Sequence, residues 1–314
     1  MITRFKSPAL LLFFLSPFVA EFLTGATPPM GLLNPLLVLF FGCFYGSSAI
    51  LIRELTLRWK KGLPTQLVLG IAFAILEEGV VTKAFFDPSR VNLSPLVNYG
   101  SYLGAHWGFI LFLMLFHTVS SITLPILVTN LMFPKKRFEP WVGSLKKFWI
   151  ILTGATFLGL LIPDFKYFPN PLVYLFFIFL MVMLFLLAKR LPQNLFRSKN
   201  PKTVSFIKLF LWAFLFNTLL FLSWFAPGLK LLQFLVWVYL IVLSIIAYQK
   251  LMQVTNNGSI PNSLQFALAS GVLTLYILID LIRSIKIYKV KTPEARANCK
   301  ELGIEPLLVT CINF

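Results

Sequence analysis

Residues 171–188 read Pro-Leu-Val-Tyr-Leu-Phe-Phe-Ile-Phe-Leu-Met-Val-Met-Leu-Phe-Leu-Leu-Ala, with no charge until Lys189 and Arg190. A helix needs about 20 apolar residues to cross a hydrocarbon core of roughly 30 Å, and this run with its flanks supplies them. Comparable runs lie near 8–26, 31–52, 65–86, 105–132, 147–163, 205–226, 229–248 and 265–282. In lipid a spanning segment must satisfy its own backbone, which leaves helices or closed barrels, and runs of this length are helical. The expected fold is all-α. It is one polytopic transmembrane helix bundle of eight or nine spans over residues 1–291, followed by a short C-terminal tail, 292–314.

The composition agrees. The chain has 314 residues, 58% hydrophobic, 16% aromatic and only 12% charged. Soluble domains carry roughly twice that charged fraction. Three cysteines, Cys43, Cys299 and Cys311, are too few for a disulfide scaffold. The net charge of +17 resembles a nucleic-acid signal until its positions are read. The basic residues cluster between apolar runs, as Arg53, Arg58, Lys60 and Lys61, then Lys135, Lys136 and Arg137, then Lys189, Arg190, Arg197, Lys199 and Lys202. That is the distribution of loops facing a cytoplasm with anionic lipid, and no nucleic-acid module accompanies it. The expected partner is the lipid bilayer, with no nucleic acid.

The same bias places the N-terminus and the loops 53–63, 133–146 and 189–203 in the cytoplasm. Glu21 interrupts the first apolar run where a signal cleavage site would sit, so a retained first helix is expected. One conflict stands. Three spans separate 189–203 from the basic stretch Arg283, Lys286, Lys289 and Lys291, which puts two cytoplasmic-looking segments on opposite faces.

Polarity inside the spans is confined to one half. Residues 1–137 hold both histidines and Glu21, Glu54, Glu77 and Glu78, whereas 138–291 is mostly Leu, Phe, Ile, Val and Trp and reads as scaffold. The sharpest feature is Glu77-Glu78 within Ala74-Ile75-Leu76-Glu77-Glu78-Gly79-Val80-Val81. An ionised side chain at mid-helix costs roughly 2.5–3.5 kcal/mol on insertion scales, so such residues mark functional sites by default. At about 1.5 Å per residue, the pair lies some 20 Å from Pro64, Glu21 about 20 Å from Pro8, and His117 about 24 Å from Phe133. Three helices therefore carry ionisable groups at matching depth. His106 falls about 16 Å further out, near the interface.

Ser120, Ser121 and Leu124 follow His117 at helical spacing, and Pro125 frees a carbonyl for a neighbouring donor. Adjacent residues on a helix diverge by about 100°, so Glu77 and Glu78 are not expected to aim at one point. Glu78 shares a face with Thr82, whereas Glu77 has only Val80 and Val81, so Glu78 is expected to face His117. Glu77 is expected as its buried, protonated neighbour. Interhelical hydrogen-bonding, a catalytic or ligand site and a proton pathway all fit such a layer. Arg53-Glu54 reads as a snorkelling ion pair at an interfacial helix end, and Gly42, Gly46 and Ser47 as a close helix contact.

These residues resemble the CAAX-protease and bacteriocin-processing (Abi) family of intramembrane proteases. That family has Glu-Glu-x-x-x-Arg on one membrane helix, then Phe-x-x-x-His, then His-x-x-x-Asn/Asp. Here Glu77-Glu78 supply the acidic pair, with Thr82 at the Arg position. Tyr102 to His106 is an aromatic variant of the second motif, and His117 to Ser121 matches the third with Ser in place of the amide or acid. The first 140 residues also resemble a group of bacterial polytopic proteins without an assigned activity, through Glu21-Phe22-Leu23, Ile52-Arg53-Glu54, Leu76 to Gly79 and His117-Thr118. The resemblance implies hydrolysis of a membrane-embedded peptide, with Glu78, Glu77, His117 and His106 catalytic. It further implies that Glu78, His106 and His117 would hold a metal, zinc being the candidate, if one is used. Glu21 and Ser121 complete the polar layer. A bacterial or archaeal plasma membrane is the expected location. The competing expectations are a proton-coupled transporter and a scaffold without turnover.

Overall fold

A computed structural model describes residues 7–27, 29–90, 94–162, 166–193, 195, 204–255 and 260–291. The tail 292–314, with Cys299 and Cys311, lies outside the described residues, as do residues 196–203. Among the described residues the regular structure is helical apart from one hairpin of two two-residue strands, and the all-α bundle stands.

Seven helices are long and apolar enough to cross a membrane: α2 (Pro35–Arg58), α3 (Leu63–Val81), α4 (Trp107–Met132), α6 (Pro171–Arg190), α7 (Phe206–Phe225), α8 (Gln233–Val254) and the start of α9 (Asn262–Lys291). A shorter apolar helix, α1, covers Pro8–Leu23. The 15-residue helix α5, Lys146–Leu160, covers about 22 Å. Proline in the first turn, behind a side-chain cap, starts several of these. Ser7, Asn34 and Asn170 accept the orphan amides of α1, α2 and α6, and Pro8, Pro35 and Pro171 supply the preset φ.

Inter-helix bonds fix the direction of each pass. Arg58 at the end of α2 donates to the carbonyls of Val142 and Gly143 just before α5, so α5 starts on that basic face. A Cβ on Gly159 at its other end would stand 2.6 Å from Val81, the last residue of α3. Short as it is, α5 therefore runs from one face to the other. Tyr174 near the start of α6 donates to the Val80 carbonyl at 3.1 Å, and Lys61 meets the Leu191 carbonyl at its end. Tyr99 meets the Leu231 carbonyl before α8, whereas Arg137 donates to Ile260 at 2.9 Å and to Asn262 at 2.8 Å at the start of α9. Nine helices thus alternate in direction among the described residues, and α1 and α9 set out from the same face. The charge conflict is thus built into the chain: the end of α6 and the end of α9 lie on opposite faces.

The Arg53-Glu54 pair is no snorkelling surface contact. Glu54 is fully buried and Arg53 is 5% exposed. Glu54 takes Arg53, the Trp141 amide at 2.9 Å and Arg58 at 3.4 Å, while Arg53 donates to the Arg137 carbonyl at 2.7 Å and lies 3.7 Å over the Trp141 ring. The segment 137–143 folds over the pair and removes it from water.

Opposite this face, α3 stops at Val81 and the chain continues through turns to β1 (Ser101–Tyr102) and β2 (Ala105–His106), paired across Leu103 and Gly104. Positive φ at Leu103 (54°) and Gly104 (76°) makes that tight turn. The span expected from residue 105 therefore begins at Trp107. Phe85, Phe86 and Leu96 are at most 1% exposed, so this irregular stretch is packed into protein, the condition under which non-helical backbone is tolerated near lipid.

Candidate functional site

The residues of one polar cluster come from α1–α4, at the seam between two apolar cores. Val19 and Ile75 pack into one, Ala20 and Phe73 into the other. Close approach of α1 and α2 builds its first side. A Cβ on Gly46 would lie 2.2 Å from the Phe13 carbonyl oxygen, so glycine is what lets the two backbones touch. On the other side, Pro125 of α4 has no N–H for the Ser121 carbonyl, and Ser16 of α1 donates to it at 2.6 Å.

Each contributing helix widens to a π-turn at the residue it contributes: Phe18–Leu23 around Glu21, Gly42–Gly46 around Tyr45, Ile75–Val81 around Glu77 and Glu78, and His117–Thr123 at His117. These are the only π-turns among the described residues. Such bulges insert a residue into the helical ladder, re-aim the side chains beside it and recur at functional sites.

The imidazole of His117 lies between the two glutamates. Glu78 Oε1 is 3.0 Å from Nε2, and Glu77 Oε2 is 3.0 Å from Nδ1. The expectation that the adjacent carboxylates could not share a target is therefore corrected. One ring presents a nitrogen to each, and the widened turn lets both reach it. At Nδ1 the hydrogen-bond direction is taken by Ser121 Oγ at 2.9 Å, which leaves Glu77 Oε2 buried beside the ring without a hydrogen bond. Glu78 is saturated by contrast, its Oε2 accepting from Thr82 at 2.7 Å. Phe73 and Phe116 close edge-on over the imidazole, with ring centres at 6.4 and 5.0 Å.

Tyr45 extends the cluster. Its phenol bonds both Glu77 and Glu21, and Glu21 also accepts from Thr27 at 2.5 Å. A line of side chains thus runs Thr27, Glu21, Tyr45, Glu77, His117, Glu78, Thr82. Tyr45 was not singled out in the sequence; its one signal was a phenol beside the Gly42, Gly46 and Ser47 contact.

His106 lies elsewhere. It sits in β2 with Nδ1 2.6 Å from Ser101 Oγ and 3.4 Å from the Asn98 amide, and its own amide donates to Phe85 at 2.9 Å. Burial pushes its imidazole below the ordinary histidine range. The metal-ligand set Glu78, His106 and His117 is consequently not assembled. The group that converges is Glu77, Glu78 and His117, with donor atoms within 4.8 Å of one another. One imidazole, already bonded at both nitrogens, and two carboxylates do not match the His- and Cys-rich sets of zinc.

A family model described as "Uncharacterized membrane protein family" matches residues 10–300, and the chain belongs to that family. No curated protein and no solved structure matches the chain.

Proposed function

We propose that this member of the family is a membrane-embedded hydrolase that activates water at Glu77 and cleaves peptide substrates lodged in the bilayer. The observation that carries the reading is Glu77 Oε2, the one carboxylate oxygen of the Glu77–His117–Glu78 trio that is buried without a hydrogen bond. A water bound there would give a proton to Glu77 as its oxygen attacked the peptide carbonyl. Glu77 would then return that proton to the leaving amine, so that one water and one amide become one acid and one amine. His117, clamped by Glu78 and Ser121, offsets the carboxylate charge and keeps Oε2 oriented. Helices α1–α4 do the chemistry on this reading, and α5–α9 hold them. Kinship with the CAAX-protease and Abi group, through Glu77-Glu78 and His117, belongs to the same proposal; His106 has no part in it.

A proton-coupled transporter would draw on the same line of side chains. That line starts beyond the end of α1 at Thr27 and finishes beyond the end of α3 at Thr82. Both ends lie on the face away from Arg58, so the line runs along the membrane and does not connect its two sides. Hydrolysis fits better.

The test is turnover of a library of membrane-anchored peptides by the protein in lipid nanodiscs, read by mass spectrometry. Cleavage by the wild type and none by Glu77→Gln is expected. No cleavage by the wild type, together with Glu77-dependent proton uptake into proteoliposomes, would overturn the proposal.

A further inference from the structure

A second feature lies apart from the glutamates. A cavity of about 230 Å³ opens between α3, α4, α7, α8 and α9. Its wall includes Leu67, Leu127, Trp212, Phe216, Leu251 and Val272, and among the described residues no charged side chain lines it. Leu63, Leu251 and Ile260 carry its lining to the basic face, where α3 and α9 begin and α8 ends. A dry apolar void forfeits dispersion contacts, and inside a bilayer the substance at hand to fill it is hydrocarbon chain.

The rim says which chain. Lys208 is exposed one helical turn before Trp212, on the face that lines the cavity. Lys250 lies one turn before the end of α8, next in sequence to the lining residue Leu251, and Arg137 is bonded to the carbonyl of Ile260, another lining residue. Three cations from three separate segments therefore lie toward the basic-face end of the helices that wall this apolar slot. Long basic side chains extend toward headgroups from such positions, and clusters of them favour anionic lipid.

We propose that this cavity is a binding site for one anionic phospholipid, an acyl chain lying against Trp212 and Phe216 and the phosphate among Lys208, Lys250 and Arg137. The site is independent of the hydrolytic reading. It implies that headgroup charge, beyond bilayer thickness or fluidity, is a condition the protein senses.

Trp212 offers the readout. The protein would be placed in phosphatidylcholine nanodiscs containing a minor fraction of phosphatidylglycerol or phosphatidylcholine with brominated acyl chains, which quench indole fluorescence on contact. Subtracting the Trp212→Phe signal isolates Trp212 from the other tryptophans. Brominated phosphatidylglycerol should quench the Trp212 component in preference to brominated phosphatidylcholine. Lys208→Gln and Lys250→Gln, each against its own Trp212→Phe partner, should lower that preference about fivefold apiece. Both lysines are outside the polar cluster, so either variant leaves peptide turnover intact in phosphatidylcholine. Equal quenching by the two lipids, or no quenching of Trp212, would overturn the proposal.

Discussion

The phenol of Tyr45 on α2 hydrogen-bonds the carboxylate of Glu21 on α1 and that of Glu77 on α3 at the same time. A phenol has one proton to give. In one of the two bonds, then, the proton belongs to a carboxyl group and the phenol oxygen accepts. The three side chains share fewer protons than they have oxygens, and moving one alters the others.

Tyr45→Phe removes that exchange while keeping the ring against Phe41, Phe44 and Phe73. A buried acceptor left without its donor costs about 1–3 kcal/mol. Thermal denaturation in detergent should show a loss of that size. Turnover should fall further than stability explains, because Glu77 loses the partner that fixes Oε1.

The two adjacent glutamates should behave differently. Glu77→Gln removes the proposed base and should lower turnover by about 10²–10⁴-fold. Glu78→Gln keeps an oxygen for His117 or Thr82, and its effect should be a loss of roughly tenfold to a hundredfold through misorientation of the ring. Parallel kinetics on the two variants check the order. The helical-wheel expectation was the reverse, so equal or inverted losses would restore Glu78 as the base.

Glu78 does face His117 and Thr82, as the helical wheel expects; what the sequence did not make legible is that Glu77 reaches the same ring. Span positions and the Glu21, Glu77/Glu78 and His117 depth match were readable because a charge in an apolar run is expensive and conspicuous. The four π-turns were not, since no residue pattern announces one, and each re-aims the side chains near it. The wheel that separated Glu77 from Glu78 assumed 100° per residue through the stretch where the helix widens. Tyr45 escaped notice because a tyrosine costs little among so many aromatics. His106 was read into a span because the helical pattern from Trp107 extends backward without a break; the Leu103-Gly104 turn was the missed stop signal.

Glu54 tests the basic face. Its carboxylate is fully buried and faces Arg53, Arg58 and the Trp141 amide. Removing one partner of a buried pair strands the other, at about 3–5 kcal/mol. Glu54→Ala should destabilise the protein by that amount and expose 137–143 to protease. Unchanged stability would mean that water already reaches the pair.

His106 makes the turn region pH-sensitive. Its Nδ1 accepts from the Asn98 amide, which requires a neutral ring, and burial lowers its pKa from the usual value of about 6.5. Above that value folded and unfolded forms are both neutral, and the full stability is present. Below it the unfolded form binds the proton first, so stability falls with pH until the folded ring also titrates. Amide exchange across 96–106, corrected for its intrinsic pH dependence, should speed up between about pH 7.5 and about pH 5.5. His106→Asn should flatten the response; a wild-type profile as flat as the variant's would refute the assignment.

The line from Thr27 to Thr82 has an electrical consequence. A unit charge carried through the full membrane potential gains about 2.3 kcal/mol per 100 mV. The carboxylates of Glu21 and Glu77 share one phenol, and His117 lies between Glu77 and Glu78, so on the proposed reading a proton exchanged among them would move sideways, away from neither face. Such a path takes almost no work from the field. The chemistry at these residues should run at the same rate in an energised membrane as in a collapsed one, and the cell could not use voltage to throttle it.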